Sequence, residues 1–412
     1  KIWQMLATAK SDFHPAANAT AGSESTQANF ALPKFLYQEE VLMNQVKLGI
    51  IGLGNMGSGH CSNILAGLTP EIKLTAAADL RQSRRDWAKE TLPDDVVFET
   101  ATSLIESGLC DAVIIRNAPT YEHPRLAILA FEHGLHVMSE KPAGVYTKQV
   151  REMNEAAIRS GKVFGMMFNQ RTNCVYRKMH EMVQSGKYGQ IKRVNWIITD
   201  WYRTQAYYNS GGWRATWDGS GGVLLNQCPH NLDLLQWICG LPCRVRAFCH
   251  NGKWHQIEVE DDVTAYLEFP NGATGVLSRP QQTLPARTAL KYLERGKRVA
   301  EHDKLTFFEL EQSERDFCFT ATGGFEQPAG HESQSNWTAN PQHVGVLNAF
   351  AGAILRGEPL VADGTEGIRG LELSNAMHLS SWTDQTVTLP IDEALFLEKL
   401  NEHRKAHPKI KP

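Results

Sequence analysis

The chain has 412 residues, enough for two domains. Hydrophobic residues make up 42% and charged residues 21%, an ordinary globular composition. A formal charge of −3 gives no electrostatic case for nucleic acid or an anionic membrane surface, and no apolar run approaches the ~20 residues that span a bilayer. Eight cysteines are scattered without zinc-finger spacing, and Cys239, Cys243, Cys249 and His250 form only a weak metal pattern. The expectation is no metal and buried reduced thiols, which suit a reducing cytoplasm.

Residues 1 to about 42 are rich in Ala, Ser, Thr and Asn without periodicity. They lack the charged start and apolar core of a secretory signal. Met43 looks like a natural start, so residues 1–45 are expected to be a leader or tag outside the fold. From Val46 the pattern alternates. Strands are expected at 46–51, 72–78, 96–98, 112–116, 135–138 and 163–168, and helices near 56–66, 81–91, 101–107, 122–133 and 147–160. Such alternation implies right-handed crossovers and a doubly wound parallel α/β sheet over 46–168. After a helix near 174–185 come longer alternating runs, from Ile191, Val245 and Val263, with a turn at Asn271-Gly272. They read as an α+β domain, 169–400, with a large, mostly antiparallel open-faced sheet, followed by a tail, 401–412.

The first strand opens into Gly52-Leu53-Gly54-Asn55-Met56-Gly57, a G-x-G-x-x-G turn. Gly52 permits the turn, Gly54 lets a pyrophosphate approach the backbone, and Gly57 lets the next helix pack closely on the strand. The second strand ends at Asp79, about 20 residues on, where a carboxylate binds the adenosine ribose. The expected cofactor is NAD. Arg81, Arg84 and Arg85 just beyond keep NADP open.

The fourth strand runs into Arg116-Asn117-Ala118-Pro119-Thr120-Tyr121-Glu122-His123, at the carboxyl edge where open α/β sheets bind ligands. The fifth ends in Ser139-Glu140-Lys141-Pro142. A lysine held at a strand end beside proline can donate to a substrate hydroxyl, although a solvated surface lysine is the ordinary alternative. Farther on, Asn226, His230 and Asp233 share a face at helical spacing, and leucines cover the other face. Pro229 complicates this, because it can open the helix and leave Asn226 on a preceding short turn. A histidine so placed suits a general base; a structural histidine bonded to Asp233 is the alternative. The stretch Trp201–Trp217 carries Arg203, Tyr207, Trp213 and Trp217 among glycines and polar groups. It suits stacking on a sugar or aryl group, or an interdomain or oligomer contact.

Together these motifs resemble the family of glucose–fructose oxidoreductase, inositol dehydrogenase and the rhizopine-catabolism protein (Gfo/Idh/MocA), over about 46–400. The stretch His343–Phe350 through Gly357 resembles that family's closing helix. The resemblance implies a Rossmann domain followed by an open-faced sheet domain, NAD(P), sugar or polyol substrates, and frequent homo-oligomers. It implies that Lys141 contacts both cofactor and substrate and that His230 is catalytic. The expected cofactor contacts are Gly52, Gly54, Asn55, Met56, Gly57, Asp79, Asn117, Pro119, His123, Glu140, Lys141 and Asn169. The expected substrate contacts are Arg203, Tyr207, Trp213, Trp217, Asn226 and Asp233.

Two departures matter. The family's usual residue four before the histidine is aspartate, and here it is Asn226, which cannot be an anionic partner. Residues 278–298 are basic, contain two prolines and do not alternate, where the family has strands. Codons for the expected segment, read one base out of frame, give Thr-Ala-Leu-Lys-Tyr-Leu-Glu-Arg. The segment therefore reads as a compensated frameshift, which resequencing of the gene tests. The expected activity is oxidation of a secondary hydroxyl of a sugar, glycoside or polyol by hydride transfer. The alternatives are a glycoside hydrolase or lyase that keeps its NAD through an oxidation–elimination–reduction cycle, and a non-catalytic NAD-binding sensor.

Overall fold

The computed structural model describes residues 44–92, 96–116, 120–199, 202–211, 214–217, 219, 221–280, 288–289, 296–301, 304–336 and 339–406. The expected leader up to residue 43, the cofactor contacts Asn117 and Pro119, and the substrate contact Trp213 lie outside these residues. So does much of the suspected frameshift segment.

β1 (Val46–Ile51) is buried at every position but Lys47, as a strand covered on both faces requires. It is followed by α1 (Asn55–Leu65), β2 (Ile72–Ala78), α2 (Gln82–Thr91), β3 (Val96–Phe98) and α3 (Ala101–Ile105). Then come β4 (Ala112–Ile115), α4 (Glu122–Glu132), β5 (His136–Ser139), α5 (Thr147–Ser160) and β6 (Phe164–Met166). All six strands are parallel, in the order β3-β2-β1-β4-β5-β6. This is the doubly wound sheet expected of 46–168. The order reverses between β1 and β4, so the connections part there and open a crevice beyond the carboxyl ends.

The chain continues through a 3-10 turn at Asn169–Thr172, α6 (Cys174–Gln184), β7 (Arg193–Ile198), α7 (Gln205–Asn209), α8 (Val223–Asn226) and α9 (Pro229–Cys239). β8 (Arg244–Asn251), β9 (Glu260–Glu268), β10 (Thr274–Pro280) and β11 (Thr288–Ala289) follow. β12 (Gly296–Glu301), β13 (Lys304–Leu310), α10 (Glu314–Thr320) and β14 (Gly330–Asn336) come next. The chain closes with α11 (Gln342–Arg356), a turn at Gly364–Glu366, α12 (Gly367–Thr383), β15 (Val387–Thr388) and α13 (Glu393–Ala406).

The second sheet has the order β11-β7-β10-β9-β8-β15 and is antiparallel except where β7 pairs with β10. Its central strands alternate over most of their length, so the inner Val245, Ala247, Val263 and Ala265 are buried while Phe248 and Tyr266 face outward. β12, β13 and β14 make a separate three-stranded antiparallel sheet.

Three details differ from the sequence pattern. α13 continues through the first six residues of the expected tail. Pro229 does open α9, and α8 precedes it as a short turn of its own. Strand pairing occurs at 278–280, 288–289 and 296–301, although the sequence there lacks an alternating pattern, because pairing needs only backbone groups in register.

One apolar core lies on the β1 face that carries Leu48 and Ile50, and α11 returns late in the chain to add Leu347 and Phe350 to it. The other runs from Ile51, Val113 and Val137 through Leu232 and Leu235 of α9 to Trp196 and Leu277 of the second sheet. Each such fully buried side chain contributes roughly 1.5–3 kcal/mol. Residues from Asn44 onward form one compact unit, and that continuous core fixes α9 against the carboxyl edge of the first sheet.

Candidate active site

The glycine-rich turn has the geometry of a phosphate cradle. Gly52 adopts φ 94°, a left-handed conformation that favours glycine. A Cβ at Gly57 would lie 1.9 Å from the Gly52 carbonyl oxygen, so only glycine lets α1 approach β1 this closely. A Cβ at Gly54 would meet nothing nearer than the Arg81 guanidinium at 3.8 Å, which leaves the turn's outer surface open. Asp79 ends β2 beside this turn and accepts from the Leu53 amide at 2.8 Å and the Arg81 amide at 2.9 Å. Its second contact with Arg81 is an ion pair through Nε at 3.1 Å. Burial pushes the Asp79 carboxyl up, but the bonds from Arg81 and Leu53 outweigh it and hold it below its ordinary value. An open glycine turn, a helix N-terminus and an ionised carboxylate at the second strand's end fit a dinucleotide.

Beyond the turn, a cavity of about 450 Å³ lies at the carboxyl edge of the sheet. Met56, Arg116, Thr120, His123, Glu140 and Lys141 line it from the first sheet's side. Asn169, Gln170, Arg203, Tyr207, Asn226, Gln227, His230, Gln342 and His343 line it from the segments that follow. Glu140 is buried, and its carboxylate accepts from His60 Nε2 at 3.0 Å. Burial raises the Glu140 pKa, but His60 and then the charges of Arg116 and Lys141 overcome this and hold it far below the usual carboxylate range. His123 Nδ1 lies 3.1 Å from the Glu140 carbonyl and 3.0 Å from that of Pro142. Carbonyls only accept, so Nδ1 carries the proton and braces the backbone on both sides of Lys141.

Lys141 points across the cavity. Its ammonium donates to the Asn226 backbone carbonyl at 3.1 Å. Burial, opposed by Glu140 and aided by Arg116 and Arg203, brings its pKa down to about 8. On the facing side Tyr207 donates its hydroxyl to Asn226 Oδ1 at 3.2 Å. His230 occupies the first turn of α9 and is 8% exposed. Burial first, and the Lys141 charge second, push its pKa well below the usual value, so the ring is neutral near pH 7. The cavity thus joins a hydrogen-bond donor of tuned charge to a neutral imidazole, a pairing suited to moving a proton from a hydroxyl.

Two expected substrate contacts do not line the cavity. Asp233 is buried and faces away, holding Arg171 in a fork at 2.9 and 2.6 Å and accepting from Gln236 at 3.0 Å. Arg171 reaches Glu366 at 2.7 Å on its other side. The physical reason is the break before Pro229: α8 and α9 are separate, so Asn226 and Asp233 do not share one helical face. Trp217 is also buried elsewhere, its ring against His378, Trp382 and His403. Sequence reasoning missed His60, Gln170, Gln227, Gln342 and His343 as residues of this region. Gln227 and His343 carry a sequence signal, Gln227 beside Asn226 in the histidine-bearing stretch and His343 at the start of the closing helix. Among the described residues no cluster of His, Cys, Asp or Glu is placed to hold a metal. No helix among them is long and apolar enough to cross a membrane.

Comparison with known proteins agrees with this fold. Residues 46–168 match the NAD-binding Rossmann fold of the GFO/IDH/MocA oxidoreductase family, and residues 176–287 match a GFO/IDH/MocA C-terminal domain. Myo-inositol 2-dehydrogenase of Thermotoga maritima is 25% identical over 244 residues, 58% of this chain and 70% of that protein. D-glucoside 3-dehydrogenase of Escherichia coli is 26% identical over 254 residues, 55% of this chain and 68% of that one. The crystal structure of the WlbA dehydrogenase of Chromobacterium violaceum, in complex with NADH and UDP-GlcNAcA, is similar with a TM-score of 0.72. It is 26% identical, and the match covers 85% of this chain and 98% of that one. The chain belongs to the GFO/IDH/MocA family of oxidoreductases, with an NAD-binding Rossmann fold.

Proposed function

We propose that the chain is an NAD-dependent dehydrogenase that oxidises a secondary hydroxyl of a sugar, glycoside or polyol. The observation that carries this reading is the convergence of Lys141 and His230 on one cavity beside the glycine-rich turn. The inositol and glucoside dehydrogenases among the similar proteins point to the same substrate class.

In this reading Gly52, Gly54, Asn55, Met56 and Gly57 hold the cofactor's phosphates and Asp79 its ribose. His123, Glu140, Lys141 and Asn169 complete that side. When bound, the nicotinamide supplies the acceptor for the substrate's hydride. Lys141, as its ammonium, turns from the Asn226 carbonyl to donate to the substrate hydroxyl. The neutral His230 takes the hydroxyl proton through its unprotonated ring nitrogen. Asn226, Tyr207 and Arg203 orient the sugar, and oxidation at C3 of a glycoside is the finer form of this reading.

A screen for NADH absorbance over monosaccharides, inositols and aryl glycosides tests it. Net NADH with a free sugar or polyol supports the dehydrogenase. Aglycone release without net NADH assigns the oxidation–elimination cycle instead. NAD binding without turnover of any of these compounds sinks both.

A further inference from the structure

Among the described residues the charges around the cavity do not balance. Arg116, Lys141 and Arg203 line it, and Glu140 is the single carboxylate among its described lining residues. That carboxylate already accepts from His60. Neither Arg116 nor Arg203 lies within 4.0 Å of a carboxylate among the described residues. Both charges reach Lys141 and disfavour its ammonium. Concentrating like charges in a partly buried cleft costs free energy, which a bound anion offsets.

Arg203 is built into place. Its backbone carbonyl accepts from His255 Nε2 at 3.1 Å. His255 is buried and held by Asp261 at 3.0 Å. The guanidinium lies over the Tyr207 ring, 5.0 Å from its centroid, and donates through Nη1 to the Tyr202 carbonyl at 3.1 Å. Its Nε is buried with no hydrogen-bond partner among the described residues. A guanidinium has five donors, and with Nη1 on the Tyr202 carbonyl and Nε closed off from solvent, Nη2 is the nitrogen left to an acid oxygen. Arg203 belongs to the segment after β7, on the same side as Tyr207 and Asn226. The glycine-rich turn that fits a dinucleotide's phosphates is on the other side, between β1 and α1.

From this arrangement we infer that the cavity takes an anionic sugar, one bearing a carboxylate or a phosphate, with Arg203 as the principal partner of the acid group and Arg116 as its support. The inference rests on the dehydrogenase reading above and deepens it to a substrate class. A neutral sugar would leave the Arg203 guanidinium without a carboxylate partner among the described residues.

The test compares matched pairs: hexoses against their hexuronates and aldonates, and hexoses against hexose phosphates. Two measurements are made on the NAD-bound protein, kcat/KM from NADH absorbance and Kd by titration calorimetry. The expected result is a preference for the acid of at least about tenfold in Kd, the scale of one charge-assisted hydrogen bond. The better acid, carboxylate or phosphate, identifies the group. Arg203→Gln keeps donors but loses the charge and is expected to bring the ratio toward 1. Arg116→Gln is expected to lower it less, and NAD affinity and Tm confirm that both variants are folded. Equal or tighter binding of the neutral member in every pair overturns the inference, and so does a ratio that neither variant changes. Failure of every acid to bind overturns it too. Turnover of neutral sugars alone sinks this inference and spares the dehydrogenase reading. Tight acid binding without any NADH does the reverse.

Discussion

The ammonium of Lys141 donates to the backbone carbonyl of Asn226 at 3.1 Å, which ties the end of β5 to the end of α8 across the cavity. Burial nevertheless lowers the Lys141 pKa from 10.5 to about 8. The folded protein therefore binds this proton less well than the unfolded chain. Between about pH 8 and 10.5 the unfolded state holds more protons, so stability rises with pH there, and below about pH 8 the cost is fully present. Lys141→Met removes the buried charge but leaves a carbonyl without its donor. The expected outcome near pH 7 is a gain of about 1–3 kcal/mol in urea unfolding, with activity lost. A variant that is less stable than the parent at pH 7 would contradict the assignment of Lys141 as a strained buried cation.

His230→Ala is expected to lower kcat by about 10²–10⁴, the usual range for a general base, with Tm and NAD affinity retained. Lys141→Ala should lose activity and also weaken NAD, because it contacts both ligands in the proposed arrangement. Stopped-flow hydride transfer and NADH fluorescence titration separate these effects. Near-normal kcat in His230→Ala would move the base to Lys141 or Tyr207.

Asn226→Asp tests the electrostatics of the facing side. A carboxylate can still accept from Tyr207, so the local geometry should persist. Its negative charge favours the ammonium of Lys141, so that pKa should rise above about 8. The alkaline limb of the pH–kcat profile is expected to move upward. An unchanged limb would show that Lys141 does not set it.

Asp79→Ala is expected to weaken NAD and narrow the gap to NADP, since it removes the carboxylate that would oppose a 2′-phosphate. It also frees the Leu53 amide and Arg81, both of which Asp79 holds. Equal or tighter NADP binding by the unmodified protein would overturn the role given to Asp79.

Asp233→Asn addresses a residue first placed with the substrate. Its fork on Arg171 is buried, so breaking it should destabilise the protein by about 3–5 kcal/mol in chemical denaturation. KM should change little beside that loss. A large rise in KM with unchanged stability would return Asp233 to the substrate.

The local chemistry of the first sheet was legible in the sequence because it is local. Gly52, Gly54, Gly57 and Asp79 lie within one strand–turn–helix–strand unit, where backbone sterics and strand polarity decide the conformation. The end of β5 at Ser139, with Lys141 two residues on, followed for the same reason. The second sheet's open face was legible from its period of 2. Other features were settled only by packing between distant segments. Asn226 and Asp233 are seven positions apart, and helical spacing put them on one face. Pro229 splits α8 from α9, and the buried Arg171, 62 residues upstream of Asp233, then claims that carboxylate. Trp217 likewise left the expected aromatic surface for a buried cluster with His378, Trp382 and His403. His60 and His343 come to the cavity region from α1 and α11, which a local pattern cannot join. Sequence spacing encodes neighbours along one element, whereas buried charges choose partners by proximity in three dimensions, because leaving any of them unpaired costs more than a turn of helix is worth.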